Sequence, residues 1–506
     1  MKKLMLIVAV LAMPFAYTQD LTDALRYSQE NISGTARFRA MGGAFGALGG
    51  DISAINLNPA SSSIFNSSKA AFTFGSNNIS NDVSYFGSPR NFSDSEVNLT
   101  QGGGVFVFDA NGSSKWNKLA LAVAYDRNGN FDDNWIAQGI NPTTSIAEYF
   151  NGFAQGLRLD EISALPGETF TQAYSDIGNV FGFDHQQAFL GFESFILEPD
   201  VDTDDNTIYS NNIVGGNYSQ RYAIASTGYN GKMAFNFSGQ YDEKLNVGVN
   251  INAHFLSYER IRTFDESNSD TNSVVSAVGF DDSLLTTGSG VSFQIGTIYK
   301  LTNEFRVGLT YDSPTWLRIN DETTQFLQTT ANINGNTEQI IINPNVVNIF
   351  PEYRLRTPGK ITGSLAYVFS DKGLISFDYS RKDYTEMSFR PTDDPFFSNQ
   401  NTAISNIFDV SNTYRLGAEY RHNRFSFRGG YRFEESPYKD DIFGGDLTTY
   451  SLGIGYKFGN FALDLAYAQG QRDQSDLLYG EAPTFNESAQ LETTLTDVFL
   501  TLTFGI

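Results

Sequence analysis

From Lys360 to the C-terminus the chain repeats one unit, a run of residues alternating apolar and polar followed by a break. The breaks are by turns minimal (Ser370-Asp371-Lys372, His422-Asn423, Gly459-Asn460) and long, polar and rich in Asp, Asn and Ser. Strands with one apolar and one polar face, tightly joined at one end and loosely at the other, build an outer-membrane β-barrel. A soluble sandwich does not sort its loops by length in this way. The work of this chain is therefore done across or within a membrane.

Lys2-Lys3, the apolar run Leu4 to Phe15 and the small residues Ala16 and Thr18 read as a secretory signal peptide, residues 1–18, with the mature chain starting near Gln19. That run is too short to span roughly 30 Å of hydrocarbon, and no later stretch is a continuous apolar span. The absence of cysteine excludes a Cys-linked lipid anchor, disulfides and thiolate metal sites. The formal charge of −23 crowds into presumed loops such as Asp200-Val201-Asp202-Thr203-Asp204-Asp205. Such a surface makes nucleic acid and anionic lipid head groups poor partners. Phe (43) and Tyr (26) far outnumber Trp (3), a supply that suits the aromatic girdles of a barrel.

Fourteen strands are expected, at 70–76, 99–109, 118–127, 221–241, 245–264, 288–301, 304–319, 354–369, 373–390, 412–421, 424–434, 447–458, 461–469 and 491–506. An even number returns the chain to its starting side, as a single-chain barrel requires. The expected fold is all-β, a 14-stranded antiparallel transmembrane β-barrel over 70–506. Residues 19–69 precede it and are rich in Gly, Ala and Ser; residues 128–219 interrupt it. Patches of helical spacing there (Phe181, Ala188, Phe192, Phe195) make this a large, partly helical insert on the long-loop, extracellular side.

Parity assigns the faces. Leu452, Ile454, Tyr456 and Phe458 face lipid, as do Phe461, Leu463, Leu465, Tyr467, Val498, Leu500, Leu502 and Phe504. A charge there costs about 2–4 kcal/mol near the midplane. Arg415, Glu419, Arg421, Arg428, Arg432 and Glu434 then point inward as a paired network of mixed charge, and Ala120, Ala122 and Ala124 leave room inside for a plug. Arg354, Arg356 and Lys360 share a parity with Thr362 and Ser364, which places them in the lumen near the outer end. They either pair with loop acids or hold a ligand carboxylate, for which bidentate Arg is suited. His185, His254 and His422 form no catalytic constellation, and Asp200–Asn206 lacks the Gly and closing Glu of an EF-hand. No enzyme activity, metal or cofactor is expected.

The N-terminal segment reads Arg39-Ala40-Met41-Gly42-Gly43-Ala44-Phe45-Gly46-Ala47-Leu48-Gly49-Gly50-Asp51, then Asn56-Leu57-Asn58-Pro59-Ala60. The glycines allow close backbone approach and left-handed turns, and Pro59 with a capping Asn58 makes a rigid turn. A phosphate loop is excluded, because no Gly-Lys-Ser/Thr follows. Ahead of fourteen strands, this segment resembles the FadL/TodX family of outer-membrane hydrophobic-compound transporters, in a Bacteroidetes-type member. Gly308-Leu309-Thr310-Tyr311-Asp312-Ser313-Pro314 and Leu355-Arg356-Thr357-Pro358-Gly359-Lys360 are similar to pieces of that family's barrel.

The resemblance implies an integral protein of the bacterial outer membrane with residues 19–69 as a hatch inside the barrel. Gly42, Gly43, Gly46, Asn58, Pro59 and Ala60 are then its motif. It implies passive uptake of hydrophobic compounds, above all long-chain fatty acids, bound in the lumen and released sideways through the wall. The partners implied are that small molecule and outer-membrane lipid. An alternative within the same resemblance is an interaction barrel that receives a secreted protein. A TonB-dependent transporter needs about twenty-two strands and a larger plug, which this chain cannot supply.

Overall fold

The computed structural model describes residues 21–110, 114–440, 443–480 and 482–506; the expected signal peptide lies outside the described residues. Among them, fourteen strand positions close into one antiparallel barrel, the first pairing with the last from Lys69↔Gly505 to Ser84↔Gln490. They are β1 (Lys69–Tyr85), β2 (Ser88–Asp109), β3 (Trp116–Asn130, continued by Asp133–Asn141), β4 (Tyr218–Tyr241) and β5 (Leu245–Ser267). Next come β6 (Val275–Lys300), β7 (Phe305–Asp312 and Trp316–Ile333), β8 (Tyr353–Arg356 and Lys360–Phe369) and β9 (Gly373–Asp383 and Ser388–Arg390). The rest are β10 (Val410–His422), β11 (Phe425–Glu434), β12 (Leu447–Lys457), β13 (Phe461–Leu477) and β14 (Ser488–Gly505).

The expected faces hold in β12 to β14: Leu452, Leu465, Tyr467, Val498 and Leu500 are exposed outward, while Ser451, Ala466, Ala468 and Thr501 are buried inward. Several strands run further out than their sequence suggested. β1 and β2 continue to a turn at Phe86-Gly87, and β3 resumes at Asp133. These extensions carry Asn77, Asn78, Ser80 and Asn81 because both of their faces are beyond the hydrocarbon, so the apolar alternation stops while the ladder does not.

A second departure lies in three neighbouring strands. β7, β8 and β9 each break, at Ser313–Thr315, Thr357–Gly359 and Tyr384–Met387. Pro314 and Pro358 have no N–H for the ladder, and Asp383 caps the turn in β9 through Thr385 N–H at 3.0 Å. Thr315 and Thr357 satisfy each other across the breaks at 2.9 and 3.0 Å. Each break reverses which residues face inward. Below it, even-numbered Asp312, Lys360 and Ser380 face the lumen; above it, odd-numbered Leu317, Leu355 and Phe389 do.

Inside the barrel the first described residues form α1 (Leu21–Ser28) and α2 (Ala36–Ala40), followed by tight turns to Phe65. The insert between β3 and β4 contains α3 (Ala147–Ala154), α4 (Phe170–Val180) and α5 (Phe183–Glu193). A capping box between Thr169 and Gln172 starts α4. Tyr149, Phe150 and Phe189 of the insert are buried against Tyr222, Phe264 and Phe280 of the extended strands and against Tyr479 and Phe485 of the β13–β14 loop. The insert thus covers the outer mouth rather than projecting from it.

Candidate transport path

The hatch is held by polar contacts to the lumen wall. Asn58 is fully buried; its Oδ1 accepts from Ala60 N–H at 3.1 Å, and its Nδ2 donates to Gly46 O at 2.7 Å and Thr297 O on β6 at 3.0 Å. The Pro59 carbonyl accepts from Asn236 at 2.9 Å, and the Asp378 carboxylate accepts from Phe45 N–H at 2.9 Å and Gly46 N–H at 3.0 Å. Gly42 and Gly43 take positive φ, 60° and 73°. The wall has its own glycines at these contacts. Gly248 and Gly296 are directly paired, and a Cβ on either would overlap the Asn58-Pro59 turn. Lower in the lumen Glu419 binds hatch Arg37 at 2.9 Å and Arg428 at 2.6 Å, and Arg428 reaches Asp464 at 2.6 Å. Of the expected charge network, Glu419, Arg421, Arg428, Arg432 and Glu434 pair, Arg415 does not, and a hatch arginine is an added member.

Between hatch and cap lie cavities that share walls. One of about 230 Å³ opens among the outer loops, lined by Leu21 and Leu25 of α1 with Phe408, Tyr438 and Phe443. A second, of about 300 Å³, continues along α1 past Tyr258, Trp135, Leu447 and Leu495. A third, of about 120 Å³, reaches the wall between β2 and β3, beside Glu96, Arg127 and Asp132.

At that wall the ladder is open. β2 pairs with β3 only from Gln101↔Asp126 to Asp109↔Lys118, although β2 itself runs out to Ser88. Beyond Asp126, side chains replace backbone bonds between the two strands, Asn134 to Asp94 at 2.6 Å and Arg127 to Glu96 at 3.6 Å, and Asn81 of β1 reaches Asp133 at 2.6 Å. The hatch touches both lips of this seam. Ser33 Oγ donates to Thr100 O on β2 at 3.0 Å, and Asn31 N–H donates to Asn128 O on β3 at 2.7 Å.

The three expected carboxylate ligands separate. Lys360 faces the lumen, 2.7 Å from Glu30 of the hatch and 3.1 Å from Asp312. Arg354 and Arg356 do not: the break at Thr357–Gly359 reverses the parity that joined them to Lys360. Arg354 is exposed outside, and Arg356 lies 3.8 Å from Glu386. The sequence reading missed Glu30, and with it Lys382, which lies 4.0 Å from Glu30 and donates to Ser28 O at 2.5 Å. Arg415 is buried on the same lumen face with no carboxylate in ion-pair range among the described residues. His254 is bound to Ser292 Oγ at 2.8 Å within the wall.

With this geometry in place, comparisons with known proteins identify the class. Residues 201–504 match the family described as Outer membrane protein transport protein (OMPP1/FadL/TodX). The chain belongs to that family and is an integral outer-membrane barrel transporting hydrophobic compounds. Among solved structures, a Pseudomonas aeruginosa FadL homologue is similar at 10% identity and a TM-score of 0.53, with 94% of this chain and 99% of that one covered. The Pseudomonas putida toluene transporter TodX is similar at 12% identity and a TM-score of 0.51, with coverage of 94% and 99%. At these identities the likeness is one of fold. No significant match was found among curated proteins.

Proposed function

We propose that this barrel takes up amphiphiles with a carboxylate head, long-chain fatty acids in the first place, and passes them laterally into the membrane. The observation that carries the reading is the clasp on Glu30. A carboxylate, open to the lumen and flanked by the cavity-lining Gln29 and Asn31, is held by Lys360 and approached by Lys382. An incoming fatty acid would lay its chain along the apolar residues by α1 and exchange its head group for Glu30. Glu30 belongs to the strand of hatch that also stitches the seam through Asn31 and Ser33, so displacing it loosens both lips. Moving an apolar chain through such a path needs no energy input, since burial in the path offsets its cost in the polar outer layer.

A neutral aromatic cargo is the second reading. The apolar lining favours it, and so does the structural likeness to a protein described as a toluene transporter. Uptake into proteoliposomes separates the two. Lys360→Gln should weaken oleate capture by about tenfold or more, the worth of a charge-assisted contact in a partly dry site, and leave toluene entry unchanged. Glu30→Gln should do the reverse and tighten oleate binding by removing the internal competitor. Toluene entry with no response of oleate to either change would establish the aromatic reading. Neither cargo entering, with a secreted protein co-purifying instead, would return the barrel to the interaction role.

A further inference from the structure

Three adjacent strands carry arginine at directly paired positions: Arg318 of β7 opposes Arg354 of β8, and Arg354 opposes Arg390 of β9. All three point outward and are exposed, because their chain neighbours Leu317, Ile319, Tyr353, Leu355 and Phe389 are buried in the core around α1. The breaks described above put them there. With the opposite phase the arginines would lie in the lumen.

Such a ladder is unfavourable by itself, since like charges directly opposed on a sheet repel. The chain has 57 acidic residues, yet among the described residues none makes an ion pair with Arg318, Arg354 or Arg390. The ladder's depth is fixed by its surroundings. Trp316 is directly opposite Arg356 and packs on outward-facing Phe293 at 6.3 Å, which in turn meets Tyr311 at 6.4 Å. Outward-facing Trp and Tyr mark the membrane–water boundary. The arginines begin just beyond it, on the long-loop side, at the level of outer-leaflet head groups.

We propose that Arg318, Arg354 and Arg390 form a binding site for the phosphate groups of an outer-leaflet glycolipid, whose acyl chains lie on Phe293, Tyr311 and Trp316. Guanidinium forks match phosphate oxygens bidentately, and one phosphate between two paired arginines turns their repulsion into a bridge. The strongly negative total charge of the chain argued against such lipids; the patch is a local exception. A free anion would find the arginines but gain nothing from the aromatic surface beside them.

Thermal melting of the full-length barrel in detergent tests the site, with bisphosphorylated lipid A, lipid A lacking both phosphates, and inorganic phosphate as separate additions. Bisphosphorylated lipid A should raise the melting temperature of the wild type, and the other two should not. The triple change Arg318→Gln, Arg354→Gln, Arg390→Gln should weaken lipid A binding on the order of a hundredfold, from about fivefold per basic residue at a membrane surface. Without lipid it should melt no lower than the wild type, because repulsion has been removed. The single change Arg354→Glu provides a check with a folded barrel. It places an acid between Arg318 and Arg390, and should raise the lipid-free melting temperature while abolishing the lipid A shift. Undiminished lipid A binding by either variant, or a full shift from inorganic phosphate alone, would overturn the proposal.

Discussion

The hatch and the cap both close the barrel, with a different balance of contacts. Around Tyr479 the cap is built on packed rings with the Arg262 guanidinium against one of them: the Tyr479 ring lies 5.1 Å from Tyr149, 5.6 Å from Tyr222, 5.6 Å from Phe280 and 4.5 Å from Arg262, all buried. The hatch meets its wall through small apolar contacts and many polar ones: Phe45 and Gly46 N–H donate to Asp378, Asn58 donates to Thr297 O, Ser62 meets Ser238, Ser63 donates to Asn246, and Arg37 pairs with Glu419. Apolar packing must be broken as a unit, because separating it exposes area to water. Polar contacts can be exchanged one at a time for water or a ligand head group at small net cost. A plug that must yield to cargo is better held by the second kind, and a lid that must keep its shape by the first.

The sharpest way to break this contrast is to remove the cap's central ring. Tyr479→Ala should cost about 3–5 kcal/mol, the range for a buried aromatic reduced to a methyl group, and it also removes the ring on which Arg262 lies. Proteolysis of intact cells would read it. Cleavage within residues 142–217 should become fast while the barrel core survives. An unchanged cleavage rate would mean that the insert is held chiefly by its tether to β3 and β4.

The matching change in the hatch is Asn58→Ala. It leaves Ala60 N–H without its cap and deprives the Gly46 and Thr297 carbonyls of a donor, a loss of about 1–3 kcal/mol. Water can enter this polar site, so the barrel should fold and melt nearly as before. Single-channel recordings in planar bilayers should instead show brief openings absent from the wild type. Permanent closure of the variant would show that the turn at Asn58-Pro59-Ala60 does not keep the hatch seated.

The sequence made the barrel legible where lipid enforces it. Alternation in β10 to β14 reports hydrocarbon on one side, so strand number, direction and face follow from residues such as Leu452 and Ser451. Where the outer face meets water instead of lipid, as along Asn77 to Tyr85, the apolar alternation fades while the ladder continues and Val83 and Tyr85 still pack inward on the cap, so the strands run past their expected ends. Parity carries Arg354 and Arg356 to the lumen only along an unbroken strand, and Pro358 interrupts this one. The proline was visible, and so was Pro314 on the neighbouring strand; their effect was not, because it depends on the two being aligned. The partnership of Glu30 with Lys360 spans most of the chain and carries no local signal. The Gly248–Gly296 pair does carry one: two glycines of lumen parity on adjacent strands mark a place where another backbone comes close.

The smallest expected effect sharpens the comparison from the cap's side, through one of its polar contacts. His185 of α5 stacks on Phe181 at 4.8 Å and lies 3.5 Å from Glu161. Burial pushes its pKa below the ordinary value, against the opposing pull of Glu161 and Asp184. The folded cap therefore disfavours imidazolium, and as pH falls below about 6.5 the unfolded insert takes up the proton first. Stability must fall with pH through that window. Asp184, whose own pKa burial raises, binds a proton early in the folded state and works the other way at lower pH. The loss should thus be confined to the interval just below neutrality. Cleavage of the insert, which tracks the population of the open form, should rise between pH 7.5 and 5.5. His185→Gln should flatten the profile without changing its value at pH 7.5, where the wild-type imidazole is already neutral. A profile that stays steep in this variant would move the pH response to the carboxylates, and the cap would then be as polar in its control as the hatch.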